Sequence, residues 1–385
     1  MTNQVFGIKC RQYGEAETKI QELLSMMGEI RAFIAEGEKI VLKTNLILPA
    51  TPEKAVTTHP GIVTAVGKMV NGFGASALVA DSPGAGYKYN ERMMKRIYRV
   101  CGLEGSCEPA GISLNFDTSA EPVSYPEGKL IKRFEVITPI LDADGVINLC
   151  KLKTHLFMHM TGAVKNSFGV IPGLAKPGYH AKLNDTARFA DMLLDLSAFV
   201  SPRVSVMDAV VGMEGEGPNN GDPRQIGLIL ASRNPLALDV VAGEIMGINP
   251  RKNPVLQAAA QRGLCPTRLE EVELIGVEKS ELRIPDFKPP STIYGKKGLG
   301  PLPWVQKLMT PLFKNGLTVK PRIDKEKCTA CGTCHDSCPV GAITLYENAY
   351  AEINEDECIR CYCCHEMCQF EAVYLHKSLL YRILN

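Results

Sequence analysis

Through the first two-thirds of the chain, short apolar runs rich in β-branched residues alternate with segments whose apolar positions recur every three or four residues. The runs fall at Val5–Cys10, Lys39–Thr44, Ala77–Asp81, Gly145–Leu149, Val204–Asp208, Ile226–Ala231 and Val272–Ile275, and each predicts a strand. Between them, Thr18–Ile34 places Ile20, Leu23, Leu24, Met27, Ile30 and Ile34 on one helical face. Further helices are predicted at Gly61–Asn71, Asn90–Val100, Thr186–Val200 and Pro235–Met246. This alternation predicts an α/β domain over residues 1–284, a mostly parallel sheet with flanking helices. Gly72-Phe73-Gly74 matches the start of a dinucleotide fingerprint. It follows a helix and precedes a strand, the reverse of the required order, and reads as a turn.

A different pattern follows. Residues 285–320 are Pro-rich and basic, which predicts an extended connection with one short helix near Pro303–Phe313. Trp304, Leu308 and Leu312 would pack that connection onto a domain. In residues 321–385 a unit recurs at an offset of thirty: Ile323 and Ile353, Ala342 and Ala372, Ile343 and Val373, Leu345 and Leu375. Each half predicts a short strand, a loop and a helical turn, giving a small α+β domain.

Charge excludes one class of function. With 43 Lys+Arg against 42 Asp+Glu, and no basic stripe interleaved with aromatics, the chain does not read as a nucleic-acid binder. No apolar run approaches the ~18–20 residues of a membrane span. The first residues lack the charged start and apolar stretch of a signal peptide, so a cytoplasmic location is expected.

The cysteines are lopsided: nine of fourteen lie between Cys328 and Cys368. In a reducing compartment such a cluster points to metal ligation, not disulfides. Cys10, Cys101, Cys107, Cys150 and Cys265 show no ligand spacing and read as small core residues. Cys328, Cys331, Cys334 and Cys338 follow C-x2-C-x2-C-x3-C, and Cys358, Cys361, Cys364 and Cys368 repeat it. Three thiolates on one tight loop can cap three irons of a cubane, whereas zinc modules usually pair two short ligand runs across a spacer. This region resembles the bacterial-type ferredoxins with two [4Fe–4S] clusters. That resemblance implies one cluster on Cys328, Cys331, Cys334 and Cys368, and a second on Cys358, Cys361, Cys364 and Cys338. Cys363 reads as a spare thiol, or as an alternative to Cys364. Gln369 stands where the first run has Pro339; its backbone N–H near a cluster would separate the two potentials.

Ligands of open α/β sheets bind beyond the carboxyl ends of the strands. Here those ends carry Lys43 and Asn45; Asp81 and Ser82; Lys151, Lys153, Thr154 and His155; Asp208 followed by Glu214; and Ser232, Arg233 and Asn234. From Lys151 to Lys182 there is no acidic residue, while Lys165, Asn166, His159, Lys176 and His180 join the set. With glycines at 162, 169, 173 and 178, this predicts a flexible loop that holds a small anion; the alternative is a solvated basic loop. His155 and His59 are the candidate proton donors, although His59 could instead begin a helix capped by Thr58. Asp208 and Glu214 could donate protons, bind metal or order a loop. Asp239, mid-helix, reads as structural.

Several strings, among them Lys43-Thr44-Asn45, Asp81-Ser82-Pro83-Gly84, Lys151-Leu152-Lys153-Thr154-His155 and Thr161-Gly162-Ala163-Val164-Lys165-Asn166, resemble the family called domain of unknown function 362. The resemblance runs over roughly residues 38–250. It implies that the strand-end polar residues form a shared site, and that a ferredoxin module often accompanies it; it implies no substrate. The expected function is a low-potential oxidoreductase passing electrons from a redox partner protein, through two [4Fe–4S] clusters, to a small anionic substrate or cofactor. A non-catalytic carrier docking a partner enzyme, or a non-redox enzyme with structural clusters, are the alternatives.

Overall fold

The computed structural model describes residues 2–293, 319–346, 349–378 and 381–382. Its main sheet contains β1 (Gln4–Lys9), β2 (Lys39–Lys43), β3 (Ser76–Ala80), β4 (Ser113–Leu114), β7 (Gly145–His155), β8 (His159–Met160), β9 (Val204–Glu214), β10 (Asp222–Ser232) and β11 (Glu273–Ile275). A separate hairpin joins β5 (Ala120–Ser124) to β6 (Arg133–Ile137). The sheet order is β11-β1-β10-β9-β7-β2-β3-β4, with β8 folded back on β7. Only β10 runs against both neighbours; the other pairs along that order are parallel. The expected mostly parallel sheet is therefore present, with one antiparallel strand inside it.

Both faces are covered, as parallel strands require. Side chains alternate between two cores: Ile40, Leu42 and Leu149 point into one, Val41 and Cys150 into the other. The first core is closed by the helices Ala16–Met26, Pro60–Gly72 and Glu91–Val100. The second is closed by Thr186–Val200, Pro235–Ile245 and Pro254–Gln261.

Several expectations are corrected. The helix anticipated over Thr18–Ile34 stops at Met26, because Gly28 turns left-handed (φ 97°); Ile30 and Ile34 still reach the core from a short turn. Strands β7 and β9 each run to eleven residues, well beyond the apolar runs that announced them. Lys151, Lys153, Thr154 and His155 are thus strand residues, buried at 1% exposure or less, and not part of a flexible loop. The stretch to Lys182 continues as β8 and short helices. Cys10, Cys101, Cys107 and Cys150 are buried as expected, but Cys265 is exposed. The helix near Pro303–Phe313, with Trp304, lies outside the described residues.

The C-terminal region holds β12 (Lys320–Ile323), β13 (Ile343–Tyr346), β14 (Tyr350–Ile353) and β15 (Val373–His376). Its two halves exchange strands: β12 pairs with β15, and β13 with β14. Each half contributes one short helix, Thr333–Asp336 and Cys363–Met367. The chain conformation repeats as well. Ala330 and Arg360, Gly332 and Tyr362, Gly341 and Glu371 all adopt positive φ at the same offset of thirty. No helix among the described residues is long and apolar enough to cross a membrane.

Candidate functional site

All strands bordering β7 from the β2 side end at one edge of the sheet, and the C-terminal region sits on that edge. Between them lies a pocket that communicates with solvent. Lys43, Asn45, Asp81, Ser82, Lys153, His155, Lys165 and Asn166 line it, as the strand ends implied. Lys176, His180, Thr161 and Phe168 complete the wall on the sheet side, and Glu366 closes it from the helix Cys363–Met367.

The charges differ in how far they are satisfied. Lys43 Nζ lies 2.9 Å from Asp81 Oδ1, both side chains almost wholly buried, and Asp81 also accepts from the N–H groups of Leu46 and Ser82. A Cβ at Gly169 would collide with both members of this pair; the glycine is there for room, not to approach a ligand. Lys176 donates to Ser82 Oγ (2.7 Å), Ser82 O (3.2 Å) and Pro83 O (2.5 Å), and burial pushes its pKa down to about 7. Among the described residues Lys153 donates to Val56 O alone (2.5 Å), and burial holds it far below the ordinary lysine range. Lys165 donates to no protein oxygen among the described residues; its ammonium lies 6.0 Å from the Phe168 ring centroid.

His155 has a defined tautomer. Its Nδ1 accepts from the N–H groups of Phe157 (3.1 Å) and Met158 (3.3 Å), so the proton of the neutral ring is on Nε2. Burial, then the neighbouring lysine and histidine charges, keep it neutral. Nε2 lies 3.1 Å from Glu366 Oε1, out of line for a hydrogen bond. Burial raises the Glu366 carboxyl to about 7 and lowers the His180 imidazole to about 3. Among the described residues, five buried atoms of the lining have no hydrogen-bond partner: Asn45 Oδ1, Thr161 Oγ1, His155 Nε2, His180 Nδ1 and Glu366 Oε1. Buried polar groups are rarely left so, and a concentration of them marks a place for a ligand.

Below the pocket, the short helix Gly162–Asn166 presents Lys165 and Asn166. The Asp239 carboxylate accepts from the N–H groups of Ala163 and Val164 (3.1 Å for the latter), and Gly162 takes φ 64° beside it. Asn45 Nδ2 donates to Asn166 Oδ1, and Asn166 Nδ2 to Asn148 Oδ1, both at 2.7 Å. Asp239 is thus structural, as expected, but structural for the site.

Other expected site residues lie elsewhere. Lys151 Nζ is 2.7 Å from Asp208 Oδ2, a fully buried pair outside the pocket lining, where Tyr13 O–H donates to Asp208 Oδ1 (3.0 Å). His59 stacks on Tyr13 with centroids 3.4 Å apart. Its backbone N–H donates to Asp208 and its Nδ1 accepts from Gly61 N–H, so His59, not Thr58, is the helix cap. Lys151, Asp208 and His59 therefore form a closed network away from the pocket. Thr154 Oγ1 accepts from Gly217 N–H (3.3 Å) behind the pocket. Glu214 is drawn to Lys288 and Arg224 at 3.6 and 3.8 Å.

The thiols gather in two cavities. Cys328, Cys331, Cys334 and Cys368 line one; Cys338, Cys358, Cys361 and Cys364 line the other, with Cys363 beside them. Strand exchange is the cause, since it carries the last cysteine of each run across to the loop of the other half. The N–H groups of Ala351, Ala342 and Ala372 donate to Cys328, Cys338 and Cys368 Sγ at 3.4, 3.2 and 3.3 Å. Among the described residues no three His, Cys, Asp or Glu converge as a single ion would need. Thiols held apart around a cavity, with N–H donors to sulfur, fit a polynuclear cluster better than zinc. Gln369 does not supply a backbone N–H to sulfur among the described hydrogen bonds; its side chain donates to Tyr87 O–H at 2.6 Å.

Sequence reasoning missed Glu366. It repeats Asp336 in the first half, where the acid is exposed, and nothing local marks it.

Comparison with known proteins agrees with this picture at the level of family. A model described as "Domain of unknown function (DUF362)" matches residues 40–244, and one described as "4Fe-4S binding domain" matches residues 321–344. The thylakoid-associated protein sll1697 of Synechocystis sp. is 31% identical over 280 residues, covering 70% of this chain and 83% of its own length. Among solved structures, the lactate racemase apoprotein of Thermoanaerobacterium thermosaccharolyticum is 11% identical with a TM-score of 0.35; the likeness covers 64% of this chain and 57% of the racemase.

Proposed function

Because this chain belongs to the DUF362 family and carries a 4Fe-4S binding domain, we propose that it is an iron–sulfur oxidoreductase acting on a small anion in the pocket beneath its cysteine region. The observation that carries this reading is Glu366, which stands between Cys364 and Cys368 in sequence and lines the same pocket as Lys153, His155 and Lys165. The cysteine cavity and the ligand pocket share the helix Cys363–Met367 as a wall.

The ligand sets in this reading are the two cavity linings: Cys328, Cys331, Cys334 and Cys368, then Cys338, Cys358, Cys361 and Cys364. Bound there, two [4Fe–4S] clusters would supply electrons one at a time. Lys153 and Lys165 hold the anion, the first with N–H groups left over from Val56 O and the second with all of its own. His155, held neutral, donates a hydrogen bond from Nε2 to the bound compound, its tautomer fixed by the two N–H groups behind it. Two electrons drawn from two molecules of a reduced one-electron carrier protein, with two protons, balance reduction of the bound compound. The carrier would dock near Cys331, which is exposed, beside the exposed Phe370. In this reading residues 1–284 bind the ligand, 285–320 connect, and 321–385 handle electrons; the reduced cytoplasm suits such thiols.

Anaerobic reconstitution should give about eight iron and eight sulfide per chain, and dithionite reduction should bleach the visible absorbance. Zinc in place of iron, or protein that folds and turns over without sulfide, would sink the proposal. Four iron per chain would cut it to one cluster.

A further inference from the structure

The pocket wall narrows the ligand further than "small anion". We propose that it takes a small doubly charged anion that also carries a hydroxyl or amine donor. This deepens the reading above and rests on its assignment of the pocket as the ligand site.

The charge balance comes from geometry. Lys43 is matched by Asp81, whereas Lys153, Lys165 and Lys176 face the single carboxylate of Glu366. A bound anion favours the protonated form of all three lysines, and against Glu366 that leaves two positive charges to be matched in a buried place, where an unmatched charge is costly. A dianion removes the excess, while a monoanion leaves half of it. The lysines also differ in what they can offer. Lys176 already has three oxygen acceptors and contributes charge alone. Among the described residues Lys153 has one acceptor and Lys165 none, so the anionic groups belong beside these two.

The second requirement comes from acceptors. Asn45 Oδ1 is pinned as an acceptor because Asn45 Nδ2 donates to Asn166 Oδ1 (2.7 Å), and it has no donor. Glu366 Oε1 is buried without one. A pure polyanion would leave both atoms facing negative charge. A ligand with a hydroxyl or amine next to its charged end serves them, and Thr161 Oγ1 and His155 Nε2 add donors of their own. Dicarboxylates with a hydroxyl or amine and phosphate monoesters with a free hydroxyl share this chemistry.

Titration calorimetry on the oxidised holoprotein separates the cases without any electron transfer. The probes are malate, succinate, glycerol 1-phosphate and lactate. Malate or glycerol 1-phosphate is expected to bind at least about tenfold more tightly than lactate, and malate severalfold more tightly than succinate. The tighter of the two hydroxylated dianions identifies the headgroup. Lys165→Gln should cost the preferred dianion about tenfold with iron content unchanged. Equal affinities for lactate and both dianions, or no binding by any probe, overturns the inference. Binding as expected by protein that takes up zinc and no sulfide on anaerobic reconstitution would instead remove the oxidoreductase reading and leave the ligand class standing.

Discussion

The two halves of the cysteine region share spacing, strand register and left-handed positions, yet they live in different surroundings. In the first half Cys331 is exposed and Asp336 is 66% exposed at its side chain. In the second, Cys361, Cys363 and Met367 are buried in a core with Leu48, Val56 and Met213 of the sheet region, and Glu366 is 5% exposed. Further ties hold the second half in place: Tyr87 O–H donates to Met367 O (3.2 Å), Asn219 Nδ2 to Cys368 O (3.0 Å) and Asn220 Nδ2 to His365 O (3.2 Å). One unit has been duplicated, and docking has divided the labour. The outer half faces solvent where a partner can reach it, and the inner half faces the pocket. The inner half also accepts strain. Tyr362 sits at φ 63° where the first half has Gly332, a cost of about 1–2 kcal/mol. Its buried O–H donates to Val319 O at 2.9 Å, which offsets part of that cost.

The largest test of this division replaces one thiol in each half. Cys364→Ala should lose about half the iron and destabilise the fold by about 2–4 kcal/mol, because it opens the packed inner half. Cys331→Ala should lose similar iron with a much smaller shift in thermal unfolding; equal shifts would erase the distinction. Next, Lys153→Ala should weaken anion binding about 10–100-fold while leaving iron intact, since it touches the pocket and neither cavity. Unchanged affinity would move the site elsewhere. Tyr87→Phe removes two hydrogen bonds that seat the inner half and should cost about 1–2 kcal/mol in chemical denaturation, with no counterpart in the outer half. The smallest effect concerns pH. Burial places Lys176 at about 7, opposed by Asp81 and assisted by Lys43 and Lys165. It is charged below that value and neutral above it, so anion affinity should fall severalfold between about pH 6 and 8. Glu366 would act in the same direction. A flat profile would show that Lys176 keeps one state throughout.

Much of this was legible in one dimension. Apolar periodicity located the principal strands and helices of the sheet region, because a two-sided core demands alternating runs. It underestimated β7 and β9, whose outer ends carry Lys151, Lys153 and Glu214 within the strand; polar letters there read as loop. The hairpin β5–β6 and the helix Pro254–Gln261 were not anticipated. Strand ends pointed to much of the pocket lining, but Lys151, Asp208 and His59 do not line it. Strand ends show which residues reach an edge, and not which of them line the pocket and which are taken up by another buried pair.

Cysteine spacing alone specified a thiol-rich, duplicated unit, since loop closure around a cluster is local and leaves its mark in the chain. Which acid of a repeated pair is buried, which lysine lacks a partner and which thiols meet across the strand exchange were settled by tertiary packing. Those depend on contacts between segments hundreds of residues apart, such as His155 with Glu366, and partnership at that range has no local signature.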